Sequence, residues 1–202
     1  MSTPAPSPLP DHRQRLLDGL AQVLTERSYS ELTIADIVAA ARVSRRTFYE
    51  HFEGKEACLL ALCERLSTEV LVLIAQGYDP QADWVEQLQK VTAAYLHSLQ
   101  AQPALVRSLY LELMAIGPAG LAMRRRISQR FAQFLIMQVE LAKAREPGKR
   151  SLSPALATAV VGGINELILQ AIEDGQTDRL AGLAPTVTEF VEAVLKSLEP
   201  AT

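Results

Sequence analysis

The chain has 202 residues, 49% of them hydrophobic, with 20 Lys and Arg against 23 Asp and Glu for a formal net charge of -3. That length holds one large or two small domains, and the apolar fraction suffices for a sizeable core. A mildly acidic total excludes a protein that meets nucleic acid with its whole surface, so any such contact must be local.

The first ten residues, MSTPAPSPLP, read as a flexible tail. They lack the apolar run of a signal peptide, and no stretch approaches the ~20 apolar residues of a membrane helix. A cytoplasmic chain with no membrane partner is expected. Cys58 and Cys63 lie five residues apart, about 7.5 Å along a helix. That exceeds the ~7 Å limit for a disulfide, so buried free thiols are expected.

Long segments rich in Ala, Leu, Glu, Gln and Arg favour helix, and no alternating β-branched run appears, so the fold class is all-α. A first helix spans Asp11 to Arg27, with Leu16, Leu20 and Val23 on one stripe. Ser28-Tyr29-Ser30 breaks it. Thr33 caps a second helix, with Asp36 in its first turn. Ile34, Ile37, Val38 and Ala41 follow at helical spacing. After Ala41-Arg42-Val43, Ser44 caps a short third helix, Arg45 to His51. Gly54 and Lys55 open a fourth, which extends to the stop at Gly77-Tyr78-Asp79-Pro80. Longer helices follow: 81–100, Pro103 to just before Gly117-Pro118, and 119–145. A polar loop, Glu146 to Arg150, precedes a helix capped at Ser153-Pro154 and ended by Asp174-Gly175-Gln176. A last helix covers Pro185 to Leu198. The expected organisation is a tail over 1–10, a compact domain of short helices over 11–56 and a second helical domain over 57–202.

Helices two and three are joined at helix-turn-helix spacing, a motif whose second helix enters the DNA major groove. At 100° per residue, Phe48 and Phe52 fall together and can pack inward. Arg45, Arg46, Tyr49 and Glu50 fill an arc of roughly 140° opposite, with Thr47 and His51 at its flank. Arginine pairs bidentately with guanine O6 and N7, and the Thr47 and Tyr49 hydroxyls can reach phosphates. Lys55 adds charge at a helix N-terminus that already favours anions. Glu50 would repel phosphate, so it faces a cytosine amine or tunes specificity.

The text LTIADIVAAARVSRRTFYEHFEGKEACL, within a span from about Arg13 to Leu62, resembles the TetR family of bacterial transcriptional regulators. Thr33, Val43, Ser44, Thr47, Phe48, Tyr49, His51, Phe52, Lys55 and Glu56 fit its pattern. The resemblance implies that Thr33, Thr47, Tyr49, His51 and Lys55 touch or support contacts to the DNA backbone, and that Arg45 and Arg46 read bases. Arg42 stands where the family usually has glycine; it must accept the backbone of the turn and could add a phosphate contact. With Ser44 at the cap, these residues form the candidate DNA-binding set. Arg46 stands where the family often has a small residue or proline, so the operator cannot be transferred from a relative.

The resemblance also implies a homodimer with a small-molecule cavity in the C-terminal helices, acting as a repressor that a ligand releases by shifting the fourth helix. Candidate pocket residues, chosen as large or soft side chains with two polar anchors, are Trp84, Tyr95, Tyr110, Met114, Phe131, Phe134, Met137, Asn165 and Glu166. Candidate dimer residues are Val160, Gly163 and Leu167, with the stripe Val187, Val191, Val194 and Leu198. Arg124-Arg125-Arg126 reads first as a solvated face. The alternative is a DNA-binding dimer whose helical domain takes a protein partner or only dimerises.

An enzyme is not expected, nor is a cofactor or a metal. The three histidines are scattered, none follows a glutamate at i-3, neither cysteine has zinc-ligand spacing, and there is no phosphate-binding loop.

Overall fold

The computed structural model describes residues 11–77, 84–144 and 150–198. The expected tail, the turn at Tyr78-Asp79-Pro80, the loop over 146–149 and the start of the fifth helix at 81 lie outside them. All regular structure among the described residues is helical. The chain divides into two compact units, 1–63 and 64–202.

The first unit holds α1 (His12–Leu24), a short 3-10 turn (Tyr29–Glu31), α2 (Ile34–Ala41), α3 (Arg45–His51) and the start of α4 (Lys55–Gln76). Leu16, Leu17, Leu20, Leu24, Leu32, Ile37 and Phe48 are among its fully or almost fully buried side chains. Burying a large aliphatic or aromatic side chain contributes about 1.5–3 kcal/mol, so this set alone orders three short helices that would be marginal in isolation. α1 packs on α2 where Gly19 removes the side chain that would otherwise separate them. A Cβ there would stand 2.8 Å from the Ala41 nitrogen.

The division at Cys63 falls seven residues beyond the expected boundary at 56. Cys58, Leu59 and Leu62 are buried, so the first turns of α4 count with the helix-turn-helix. Cys58 and Cys63 are free and buried, and burial pushes the Cys63 thiol up to about 12.

The second unit holds the rest of α4 with α5 (Trp84–Gln100), α6 (Pro103–Ala115), α7 (Pro118–Lys143), α8 (Pro154–Glu173), a 3-10 segment (Thr177–Leu183) and α9 (Ala184–Lys196). The sequence reading had no counterpart for the 3-10 segment; its Thr177 and Leu180 are buried. Ser153 caps α8, its hydroxyl accepting from the Leu156 N–H at 3.2 Å, with Pro154 at the first helical position. One core cluster joins α5, α6, α8, α9 and the 3-10 segment around Leu96, Val106, Ile168 and Leu180. A second lies around Ala132, Val139, Ala157 and Leu198.

Contrary to the expectation that no segment approaches membrane-spanning character, α8 is long and apolar enough by length and composition. Within one chain only 28% of that stretch is buried. Its Asn165 is hydrogen-bonded to α6 and its Ile168 sits in the core, so α8 is a packed helix with one uncovered side of mixed small and polar residues.

Candidate nucleic-acid interface

The motif is built on two caps. At α2, the Thr33 hydroxyl accepts from the Asp36 N–H at 3.3 Å, and the Asp36 carboxylate accepts from the Thr33 N–H at 2.8 Å. The Thr33 hydroxyl also donates to Asp36 at 2.6 Å. Arg27 pairs with the same carboxylate at 2.8 Å. These bonds, the two from Thr33 foremost, hold the Asp36 carboxyl below its ordinary value of 3.8. A depressed carboxyl stabilises the fold above its unfolded value and loses that effect as pH falls through the folded one. Acid unfolding should therefore begin at higher pH in wild type than in Asp36→Asn once both are normalised to neutral-pH stability, as circular dichroism would show. For DNA, the consequence is that the single hydroxyl proton of Thr33 is already spent. Its place is the cap, and a phosphate contact from that hydroxyl would have to break it.

The turn to α3 runs through Arg42, at φ 53° and ψ 48°. This is the left-handed region that glycine usually fills. The Arg15 guanidinium donates to the Arg42 carbonyl at 2.6 Å and pins the turn. A left-handed non-glycine residue costs about 1–2 kcal/mol, partly offset because glycine would lose more backbone entropy. Arg42→Gly should therefore raise stability by about 0.5–1 kcal/mol in denaturant unfolding, with the Arg15 contact retained because it goes to backbone.

Ser44 caps α3, accepting from the Thr47 N–H at 3.0 Å and sharing a 2.8 Å hydrogen bond with the Thr47 hydroxyl. Phe48 is fully buried and meets Phe52 with ring centroids 5.7 Å apart. Phe52 is the extended residue that ends the helix, not a further helical position. The opposite side of α3 presents Arg45, Arg46, Tyr49 and Glu50, all exposed. Thr47 and His51 are half-buried at the flank, and His51 meets His12 edge-on at 6.5 Å. Tyr49 stands edge-on to Phe48 at 5.6 Å and is 56% exposed. Glu50 accepts from the Arg46 Nε at 3.1 Å.

Lys55 differs from a simple phosphate clamp. Its ammonium donates to the carbonyls of Tyr29 at 2.8 Å and Leu32 at 2.7 Å, and lies 4.2 Å from the Tyr29 ring centroid. Two of its three donors thus hold the start of α4 to the segment before α2, and one is left for an anion. Charge-assisted hydrogen bonds contribute about 1.5–3 kcal/mol. Lys55→Met should cost about 2 kcal/mol in chemical denaturation, a loss that a pure phosphate contact would not produce.

In the second unit the candidate pocket residues separate into two groups. Tyr95 of α5, Tyr110 of α6, Phe131 of α7 and Asn165 of α8 converge: Tyr110 donates to Asn165 Oδ1 at 3.2 Å, and the Tyr95 and Phe131 ring centroids are 6.0 Å apart. Burial pushes the Tyr110 phenol up to about 12 and the Tyr95 phenol well above its ordinary range. Phe134 is half-buried. Met114 and Met137 are each 48% exposed, and Glu166 is exposed beside Gln170. These three are surface residues of the single chain, because their helices turn them away from the cluster. The side chain of Trp84 lies outside the described residues.

The candidate dimer residues lie mostly in the cores of their own chain. Val160, Val187 and Val191 are 1–4% exposed in the core cluster of their own chain, and Leu198 is buried in the other. Gly163 faces the chain's own Phe190, 3.1 Å from where a Cβ would be. Leu167 and Val194 are half-buried beside them. The stripe on α9 is therefore covered by the same chain, and the uncovered side of α8 carries Ala155, Ala159, Gly162, Glu166 and Gln170.

A capped helix-turn-helix that buries one face of α3 and exposes cationic and phenolic groups on the other defines a DNA-binding transcriptional regulator. Residues 16–62 match the family model described as bacterial regulatory proteins, tetR family, a match that spans the helix-turn-helix. It is 28% identical over 195 residues to the HTH-type transcriptional repressor DhaR of Mycobacterium sp. (strain GP1), covering 94% of this chain and 93% of that one. In fold it is similar to Salmonella enterica GusR, with a TM-score of 0.74 at 22% identity over 95% of this chain and 98% of that one. It is equally similar to FadR from Bacillus subtilis in complex with stearoyl-CoA, with a TM-score of 0.74 at 20% identity over 88% and 96% of the two chains.

Proposed function

We propose that the chain is a homodimeric repressor: α3 reads an operator and a small molecule bound in the second unit releases it. The observation that carries the DNA half is the exposed face of α3, where Arg45, Arg46 and Tyr49 stand outward on a helix anchored by Phe48. Arg45 serves as a base reader, while Tyr49, Thr47 and the remaining donor of Lys55 serve the phosphates. Repression is supported by the likeness to the repressor DhaR along nearly the whole of both chains.

The ligand half is supported by the half-buried polar cluster of Tyr95, Tyr110 and Asn165. Pockets are mostly apolar with a few placed polar groups, and a solved structure of similar fold holds stearoyl-CoA. The ligand must bind the DNA-incompetent arrangement more tightly, since equal affinity for both shifts nothing. α4 contributes residues to both units and is the element through which the shift passes.

Dimerisation places two α3 helices for half-sites about 34–36 Å, or a multiple of that, apart. The uncovered side of α8, with Gly162 open to solvent, is the face that a second copy would cover. Ala159→Arg would bury an unpaired guanidinium twice in a two-fold interface, costing about 2–5 kcal/mol per site. It should convert the dimer to monomer in light scattering. Enrichment of duplexes from a random pool by the purified protein, followed by a screen for compounds that release it, tests the whole reading. Failure to enrich any sequence sinks the DNA half, and failure of every compound class together with a fully dry helical unit sinks the ligand half.

A further inference from the structure

Glu50 is an acidic residue on the face of α3 that would enter a polyanion's groove, and the phosphate and base contacts assigned above leave it unused. Its carboxylate takes the Nε–H of Arg46, one turn earlier on the same helix. A guanidinium carries five N–H donors in a rigid fork. The Nε–H lies on its side, whereas the four Nη–H groups form its end, and one hydrogen from each Nη spans guanine O6 and N7. Glu50 therefore occupies the edge of Arg46 that an end-on base contact does not need. The pair is net neutral, which removes the repulsion an isolated carboxylate would meet. Arg46 is 90% exposed, so nothing else in the fold restricts its long side chain before DNA arrives. Arg45 has no ion-pair partner among the described residues.

We propose that Glu50 is a positioning residue for DNA reading, holding Arg46 by its Nε edge so that its Nη edge meets a guanine. Arg45 reads untethered beside it. The proposal rests on the DNA-binding reading above. An exposed i,i+4 pair adds little to stability; its effect is to order one flexible side chain in advance, which reduces what binding must immobilise.

The test is selection from a random duplex pool by the full chain, in parallel with Glu50→Ala, Glu50→Gln, Arg46→Ala and the double Arg46→Ala/Glu50→Ala variant, each checked for unchanged thermal unfolding. Glu50→Ala should relax preference by roughly three- to tenfold at the same base position that Arg46→Ala relaxes. Glu50→Gln, whose side-chain carbonyl can still accept from Nε, should keep most of that preference. In the Arg46→Ala background, adding Glu50→Ala should change nothing at that position. A wild-type site whose preferences survive Glu50→Ala overturns the proposal alone. So does a Glu50→Ala effect at a cytosine that persists without Arg46, which would make Glu50 a direct reader. A wild-type protein that enriches no sequence overturns the DNA-binding reading, and the proposal with it.

Discussion

Gly120→Ala should unfold the second unit. Gly120 lies in the first turn of α7, buried against the end of α6. A Cβ there would stand 1.8 Å from the Leu113 carbonyl oxygen, with the Leu113 carbonyl carbon at 3.0 Å and the Ile116 Cβ at 3.2 Å. Two of these three atoms are backbone, so no rotamer relieves the clash and the α6–α7 connection must open. That connection is itself fixed by Gly117, at φ 82°, and by Pro118 at the first helical position, which leaves little slack. Overpacking costs about 1–3 kcal/mol where side chains can adjust, and here they cannot. We expect a loss above ~3 kcal/mol, read as a large drop in the unfolding midpoint by circular dichroism. In the proposed dimer two α3 helices act together, so operator affinity should fall with it.

Gly19→Val should do the equivalent to the first unit. The Ala41 nitrogen at 2.8 Å, the Ala41 Cβ at 3.0 Å and the Ile37 carbonyl oxygen at 3.0 Å line the place of the missing Cβ. All three belong to α2, so α1 and α2 must part. Ala41 directly precedes the left-handed residue that leads into α3, so parting them also moves the reading helix. The expected cost is about 3 kcal/mol with loss of DNA binding. Size-exclusion chromatography should still find the proposed dimer, since the second unit is untouched. Retained operator binding by Gly19→Val would mean that α1 and α2 do not position α3.

The parts of the site legible in sequence are those fixed within a few residues. The α3 bounds, Arg45–His51, emerge as read, because Ser44 and Thr47 lie three apart and Phe48 marks the inward side. The left-handed backbone at Arg42 was foreseeable from the resemblance, whose pattern usually has glycine there. The Arg46–Glu50 pair also had a signal, the i,i+4 spacing of opposite charges. What escaped depends on contacts distant in sequence. Lys55 reaches Tyr29 and Leu32 across 26 and 23 residues, and Arg15 reaches Arg42 across 27. Tyr110 and Asn165 meet across 55. Periodicity shows that Val187, Val191 and Val194 share a face, but not which body covers it, and here the chain covers its own stripe. Met114 and Met137 suited a pocket by chemistry, and their place on α6 and α7 turns them to the surface.

One face of α3 is proposed to read double-stranded DNA by sequence. This is tested by titrating a duplex enriched by the wild-type chain, and a scrambled duplex, against wild type and Arg45→Ala at low and physiological salt. The account predicts that wild type prefers the enriched duplex by at least about 10³-fold at physiological salt. Arg45→Ala should lose about 1–3 kcal/mol through one base position, with the salt dependence of nonspecific binding nearly unchanged. Equal affinity of wild type for both duplexes, or an Arg45→Ala loss spread evenly over all sequences, would contradict it.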